Sequence, residues 1–200
     1  VHPSKKYFVV AEKGDFPNIY IYEYPSLRLY RILRKGAEKM FAHVEFSAGG
    51  DKLASLGGSP DYTLTVWDWV KQRVILKNKA FSQEVFKVSF SPFTDSVLFT
   101  CGQGHLKFWK MAQTFTGLKL QGEVAKFGSL ELSDVSAFQE LPDGKVVSGT
   151  VYGNLIVWEG QFVKTQLMLD VENQTPAHAG KIEVLLSTDI AGSLSFFDLV

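Results

Sequence analysis

The sequence holds a single cysteine, Cys101, in 200 residues. A lone thiol excludes an internal disulfide framework and a paired-cysteine metal site, and it fits a reducing compartment. An excess of charge is missing too: 21 Lys and Arg face 21 Asp and Glu, for a formal net charge of 0. The chain as a whole therefore has no bulk attraction for nucleic acid or for an anionic membrane. No run approaches the roughly 20 apolar residues of a membrane-spanning helix. The opening VHPSKKYFVV has neither the apolar stretch nor the cleavage site of a signal peptide, and it has no Met, so the chain is read as a piece of a longer protein. The four histidines, His2, His43, His105 and His178, lie too far apart for ligand spacing, and no metal is expected. SAGGDK (Ser47 to Lys52) lacks the spacing of a phosphate loop, and no Gly-x-Ser-x-Gly elbow occurs. The expectation is a protein that is not an enzyme, with no cofactor and no small-molecule substrate.

What the chain does have is aromatic and short-range. Hydrophobic residues make up 46% and aromatics 14%, in brief alternating runs that favour strands. One pattern recurs: IYIYEY (Ile19 to Tyr24), LTVWDW (Leu64 to Trp69), LKFWKM (Leu106 to Met111), LIVWEG (Leu155 to Gly160) and LSFFDL (Leu194 to Leu199). Its aromatics, Tyr22, Trp67, Trp109, Trp158 and Phe197, stand 45, 42, 49 and 39 residues apart. A propeller blade repeats every ~40–45 residues.

Around each copy the same order returns. An alternating strand such as VFKVSF comes first, then a turn, a second apolar strand such as VLFTCG, a short turn, the aromatic strand and a fourth strand such as QRVILKNKA. Four antiparallel strands per period predict an all-β propeller fragment of four to five blades, near 1–36, 37–81, 82–130 and 131–180, with an incomplete blade at 181–200. His2-Pro3-Ser4 reads as the turn after an innermost strand, so the first blade is expected to lack that strand. The last is expected to lack its outermost one. Val44 to Trp67 and Val135 to Trp158 each span 23 residues but Ile182 to Phe197 spans 15, so either that blade has lost part of its inner pair or, the favoured reading, residues are missing near Leu186 and Ser187.

LTVWDW and LIVWEG resemble the Trp-Asp signature of the WD repeat. In that family the Trp packs between blades and is tied into a network by a turn Asp, a strand Ser or Thr and an upstream His. The resemblance implies the turn-acid role for Asp61 and the hydroxyl role for Ser55 or Thr100. The Gly-His element is missing before most blades, His178 being the nearest match, so apolar packing is expected to hold these repeats. Longer stretches, KGDFPNIYIYEYPSLRLYRIL and FSPFTDSVLFTCGQGHLKFWKM among them, resemble the WD-repeat cilia- and flagella-associated proteins. That resemblance implies an axonemal scaffold, partnered by a sister WD-repeat protein, that tethers inner-arm dynein to the doublet microtubule. Gly117 to Gly160 is also similar to blades of the echinoderm microtubule-associated-protein-like family, which implies direct microtubule binding in the cytoplasm. Neither resemblance implies nucleic acid or membrane as a partner.

Two features are candidate partner contacts. Arg28, Arg31, Arg34, Lys35 and Lys39 form a basic run on the first blade's outer strand and the following loop, suited to an acidic partner. The competing reading is an outer strand that carries charge to discourage edge pairing. Trp69, with Tyr20 and Tyr24, is read as alternating with the packing positions and so as an exposed anchor; packing on neighbouring outer strands competes. For the linker between Trp109 and Val135, a protruding docking loop and a delayed outer strand with Phe127 buried both stand open.

Overall fold

Short alternating runs broken by Gly, Pro, Ser and Asp leave the chain little choice but tight antiparallel hairpins. The computed structural model describes residues 1–167 and the backbone of two later strands. β1 (Tyr7–Ala11), β2 (Ile19–Glu23) and β3 (Leu29–Leu33) make a three-stranded sheet. β4 (Phe41–Phe46), β5 (Leu53–Gly57), β6 (Thr63–Asp68) and β7 (Arg73–Lys79) make a four-stranded one. So do β8 (Val85–Phe90), β9 (Val97–Gly102), β10 (His105–Thr114) and β11 (Gly117–Val124), and then β12 (Val135–Glu140), β13 (Val146–Thr150), β14 (Leu155–Glu159) and β15 (Phe162–Leu167). β16 (Leu185–Thr188) pairs with β17 (Leu194–Phe197). β16 runs as one strand through Leu186 and Ser187, where missing residues are expected from the spacing. Each sheet is a meander of sequence neighbours, and no helix forms among the described residues. The fold is a β-propeller fragment.

The repeat is written into the backbone as well as the side chains. Pairing of the first two strands shifts register at Phe41/His43, Val85/Lys87 and Val135/Ala137, the same place in three sheets. A second shift falls beside the aromatic in three sheets, at Ile21/Tyr22, Val66/Trp67 and Val157/Trp158. Such bulges bend and twist a strand where a large side chain must be accommodated. The β10–β11 ladder has no shift there and sets Gly122 opposite Trp109.

Cores form in the seams between sheets. Strands with one wet face alternate, but β5 is buried at all five positions because both of its faces are covered. Ile19, Ile21 and Leu33 of the first sheet meet Leu53, Trp67 and Trp69 of the second. Leu56, Leu64 and Val66 meet Val88, Leu98 and Trp109 across the next seam, and Phe99, Cys101 and Leu106 meet Val135, Val146 and Trp158 across the third. The linker combines the two readings open for it: Phe127 is buried edge-on to Trp158 at 5.1 Å, while Phe115 stands fully exposed at the β10–β11 hairpin tip.

Candidate functional site

Three tryptophans fill the seams between the sheets. Trp67 Nε1 donates to Ser55 Oγ at 2.8 Å, Trp109 Nε1 to Thr100 Oγ1 at 2.9 Å, and Trp158 Nε1 to Ser148 Oγ at 2.8 Å. A buried indole N–H left without an acceptor costs about 1–3 kcal/mol, so the hydroxyl on the adjacent strand is what admits a Trp to the seam. Ser148 was not among the residues singled out from the sequence. Its signal is positional: it holds on β13 the place of Ser55 on β5 and Thr100 on β9. Unequal turns hide the match, since the hydroxyl precedes its Trp by 12, 9 and 10 residues.

Other expectations need correcting. Trp69 is no exposed anchor: it is 3% exposed, its Nε1 donates to Gly50 O at 2.8 Å, and Phe46, Tyr7 and His2 surround it edge-on. Trp69 sits in the turn just past β6, which folds its ring back over the seam that holds Trp67. Asp61 does not join the Trp67–Ser55 pair. Its Oδ1 is buried beside Gly57 without a hydrogen-bond partner, and no histidine bridges acid to hydroxyl among the described residues. Tyr22 is half-buried, stacked on Phe8 at 5.4 Å, and is not enclosed as the three tryptophans are. His178 and the side chain of Phe197 lie outside the described residues.

The basic run divides. Arg31 is half-buried at the seam, its Nε donating to Val70 O at 2.9 Å and its Nη1 to Tyr30 O at 2.8 Å; it is spent on holding two sheets together. Lys39 is paired with Asp15. Arg28, Arg34 and Lys35 are exposed. Further side chains cross the seams with no sequence signal beyond strand parity. Glu45 accepts from Ser89 Oγ at 2.7 Å and from Phe90 N at 3.2 Å. Lys87 donates to Phe138 O at 3.2 Å, and Asn78 Nδ2 to Leu120 O at 3.3 Å.

Buried titratable groups complete the picture. Burial pushes the Cys101 thiol up to about 12, so it sits in the seam as a small apolar side chain. His105 is fully buried, stacked 3.8 Å from Phe81, with Nδ1 against Gln103 O at 3.1 Å. A carbonyl only accepts, so Nδ1 carries the proton and Nε2 is left bare with no partner. Burial holds both His105 and His43 below the ordinary histidine value. Unfolding therefore takes up protons at acid pH. The stability these neutral rings contribute is complete above pH ~6.5 and is lost as pH falls below it toward their folded-state values. Amide protection across β9 and β10, with the slower intrinsic exchange at acid pH allowed for, is expected to fall on acidification, and to fall less in His105→Phe. Equal pH dependence in both proteins would contradict the assignment.

Among the described residues no three His, Cys, Asp or Glu are placed to share a metal, and no helix is long and apolar enough to cross a membrane. A cleft of about 430 Å³ lies between Ser129, Leu130 and Ser133 on one side and Thr150, Asn154 and Ile156 on the other. Its lining has one carboxylate, Glu131, and no histidine, lysine or cysteine.

Comparison with known proteins sharpens the reading. Cilia- and flagella-associated protein 44 of Mus musculus is 55% identical over 93% of this chain, and that of Chlamydomonas reinhardtii is 49% identical over 93%. The chain spans 10% and 11% of those two relatives. The crystal structure of the Myceliophteria thermophila Cps50 (Swd1) β-propeller domain superposes with a TM-score of 0.68 at 12% identity, covering 83% of this chain and 53% of that one, a likeness of fold. The model of the echinoderm microtubule-associated protein first β-propeller matches residues 1–195, and the chain belongs to that family.

Proposed function

We propose that this propeller is a non-enzymatic scaffold of the ciliary or flagellar axoneme. In this reading it helps to tether inner-arm dynein motor domains to doublet microtubules, beside a sister WD-repeat protein, and so supports cilium movement. The observation that carries the reading is the 55% identity over 93% of the chain to a mouse protein named for cilia and flagella. The geometry is consistent with it. Tryptophans enclosed in the seams and side chains that cross them, Arg31, Glu45 and Lys87 among them, fasten neighbouring sheets together, as a mechanical link requires.

The test is proximity labelling with the full-length protein in ciliated cells. Inner-arm dynein subunits and a second WD-repeat protein should be enriched; labelling confined to cytoplasmic tubulin would remove the tether role. The family match favours one alternative, a cytoplasmic propeller that binds microtubules directly. It predicts that the purified full-length protein sediments with microtubules without other partners, and failure to do so at low salt counts against it.

A further inference from the structure

The sequence presents its basic residues as a run along one strand; the folded chain regroups them. Lys77 on β7 reaches back to the first sheet, donating through Nζ to Lys35 O at 3.0 Å. Two residues on lies Lys79, and just past the strand Ala80 O accepts from Lys107 Nζ of the third sheet at 3.0 Å. Arg34 adjoins Lys35. Arg34, Lys35, Lys77 and Lys79 thus lie along the outer seam of the first two sheets, and Lys107 reaches the end of β7 from the third. Arg34, Lys35, Lys77 and Lys79 are exposed; Lys107 is half-buried over the Trp109 ring at 4.0 Å.

Lys39, Lys52, Lys71, Arg73, Lys145 and Lys164 all lie against a carboxylate. None of the five rim cations has a carboxylate within ion-pairing reach among the described residues; the two that are held are held by backbone carbonyls, which fix the ammonium without neutralising it. Other described cations, Lys5, Lys6 and Lys13 among them, lack a carboxylate too; what distinguishes this corner is that cations of neighbouring sheets lie side by side. We propose that this corner, Arg34, Lys35, Lys77, Lys79 and Lys107, is a docking surface for an acidic, extended polypeptide segment of a partner protein. It rests on the scaffold reading above in one respect, that the occupant is a protein.

Charge complementarity chooses the occupant. Cations placed on successive sheets suit carboxylates strung along an extended chain, and such pairs raise the association rate and fix orientation. Nucleic acid fits less well, because β7 carries no aromatic on which a base could stack and the chain offers no general positive field.

The test is binding of a fluorescent poly-glutamate peptide to the full-length protein at low salt. A poly-uridine strand of matched charge is run beside it. The variant is Arg34→Gln/Lys35→Gln/Lys79→Gln, three exposed side chains whose loss breaks none of the carbonyl contacts described. Lys5→Gln/Lys6→Gln/Lys13→Gln removes equal charge elsewhere and serves as the control. The rim variant should weaken peptide binding about tenfold or more, and the control by less than about twofold. Added salt should weaken wild-type binding. Undetectable peptide binding by the wild type, equal loss in the two variants, or tighter binding of the nucleic acid would each overturn the proposal. Proximity labelling of the rim variant separates the two claims. Dynein enrichment that persists while peptide binding is lost leaves the axonemal reading standing and assigns the corner a different acidic partner.

Discussion

Trp67→Ala is expected to cost the second sheet about 3–5 kcal/mol, the range for removing a large buried aromatic. Trp67 is 1% exposed, and its seam also holds Ile19, Ile21, Leu33, Leu53 and Trp69. Neither sheet can close the resulting hole by sliding. Arg31 is fastened to Val70 O on one side, and Glu45 to Ser89 and Phe90 on the other. Gly36 shows how tight the fit is: a Cβ there would lie 2.9 Å from Trp67 Cζ2. Amide exchange in β5 and β6 of the full-length protein should accelerate about a hundredfold to a thousandfold. Trp67→Phe should fall between, since it keeps most of the ring and strands no N–H. Exchange unchanged in Trp67→Ala would mean that the seam does not depend on the indole.

Gly122→Val should be the more damaging of two small substitutions, though it adds only three carbons. A Cβ at Gly122 would lie 2.6 Å from Lys107 Cε and from two carbons of the Trp109 ring. Neither neighbour is free to yield. Thr100 Oγ1 accepts from Trp109, and Ala80 O holds the Lys107 ammonium. The first, second and fourth sheets make room beside their aromatic with a register shift, whereas β10–β11 keeps an unbroken ladder and uses the missing side chain instead. The expected cost is about 1–3 kcal/mol of overpacking, read as faster exchange across β10 and β11. Gly49→Ala is the comparison: its nearest neighbour, Asp51 Oδ1, is at 3.6 Å, ordinary contact, and exchange should stay near that of the wild type. Equal effects at the two glycines would show that close approach at Trp109 is not what requires Gly122.

The aromatic period made the sheets legible in the sequence, because every described copy of the motif needs a large ring at the same step of the same strand. The hydroxyl partner was half legible. Ser55 and Thr100 stood out on their strands, but turn length differs from blade to blade and masked Ser148. Contacts between sheets were out of reach. Parity says which side chains share a face, not which carbonyl a lysine from the next sheet will meet, so Lys77–Lys35 and Lys107–Ala80 had no linear signature. Trp69 lies in the turn past the end of β6, where strand parity does not say which way a ring points. Arg31 failed differently: its charge suggested a partner, and the carbonyl of Val70 took it.

A tether component would be a fixed part of the axoneme. The most direct measurement is cryo-electron tomography of intact cilia in which the full-length protein carries a density label. Label is expected at a regular position between the doublet microtubule and an inner-arm motor domain. Label absent from the axoneme, with the protein spread along cytoplasmic microtubules, would contradict it.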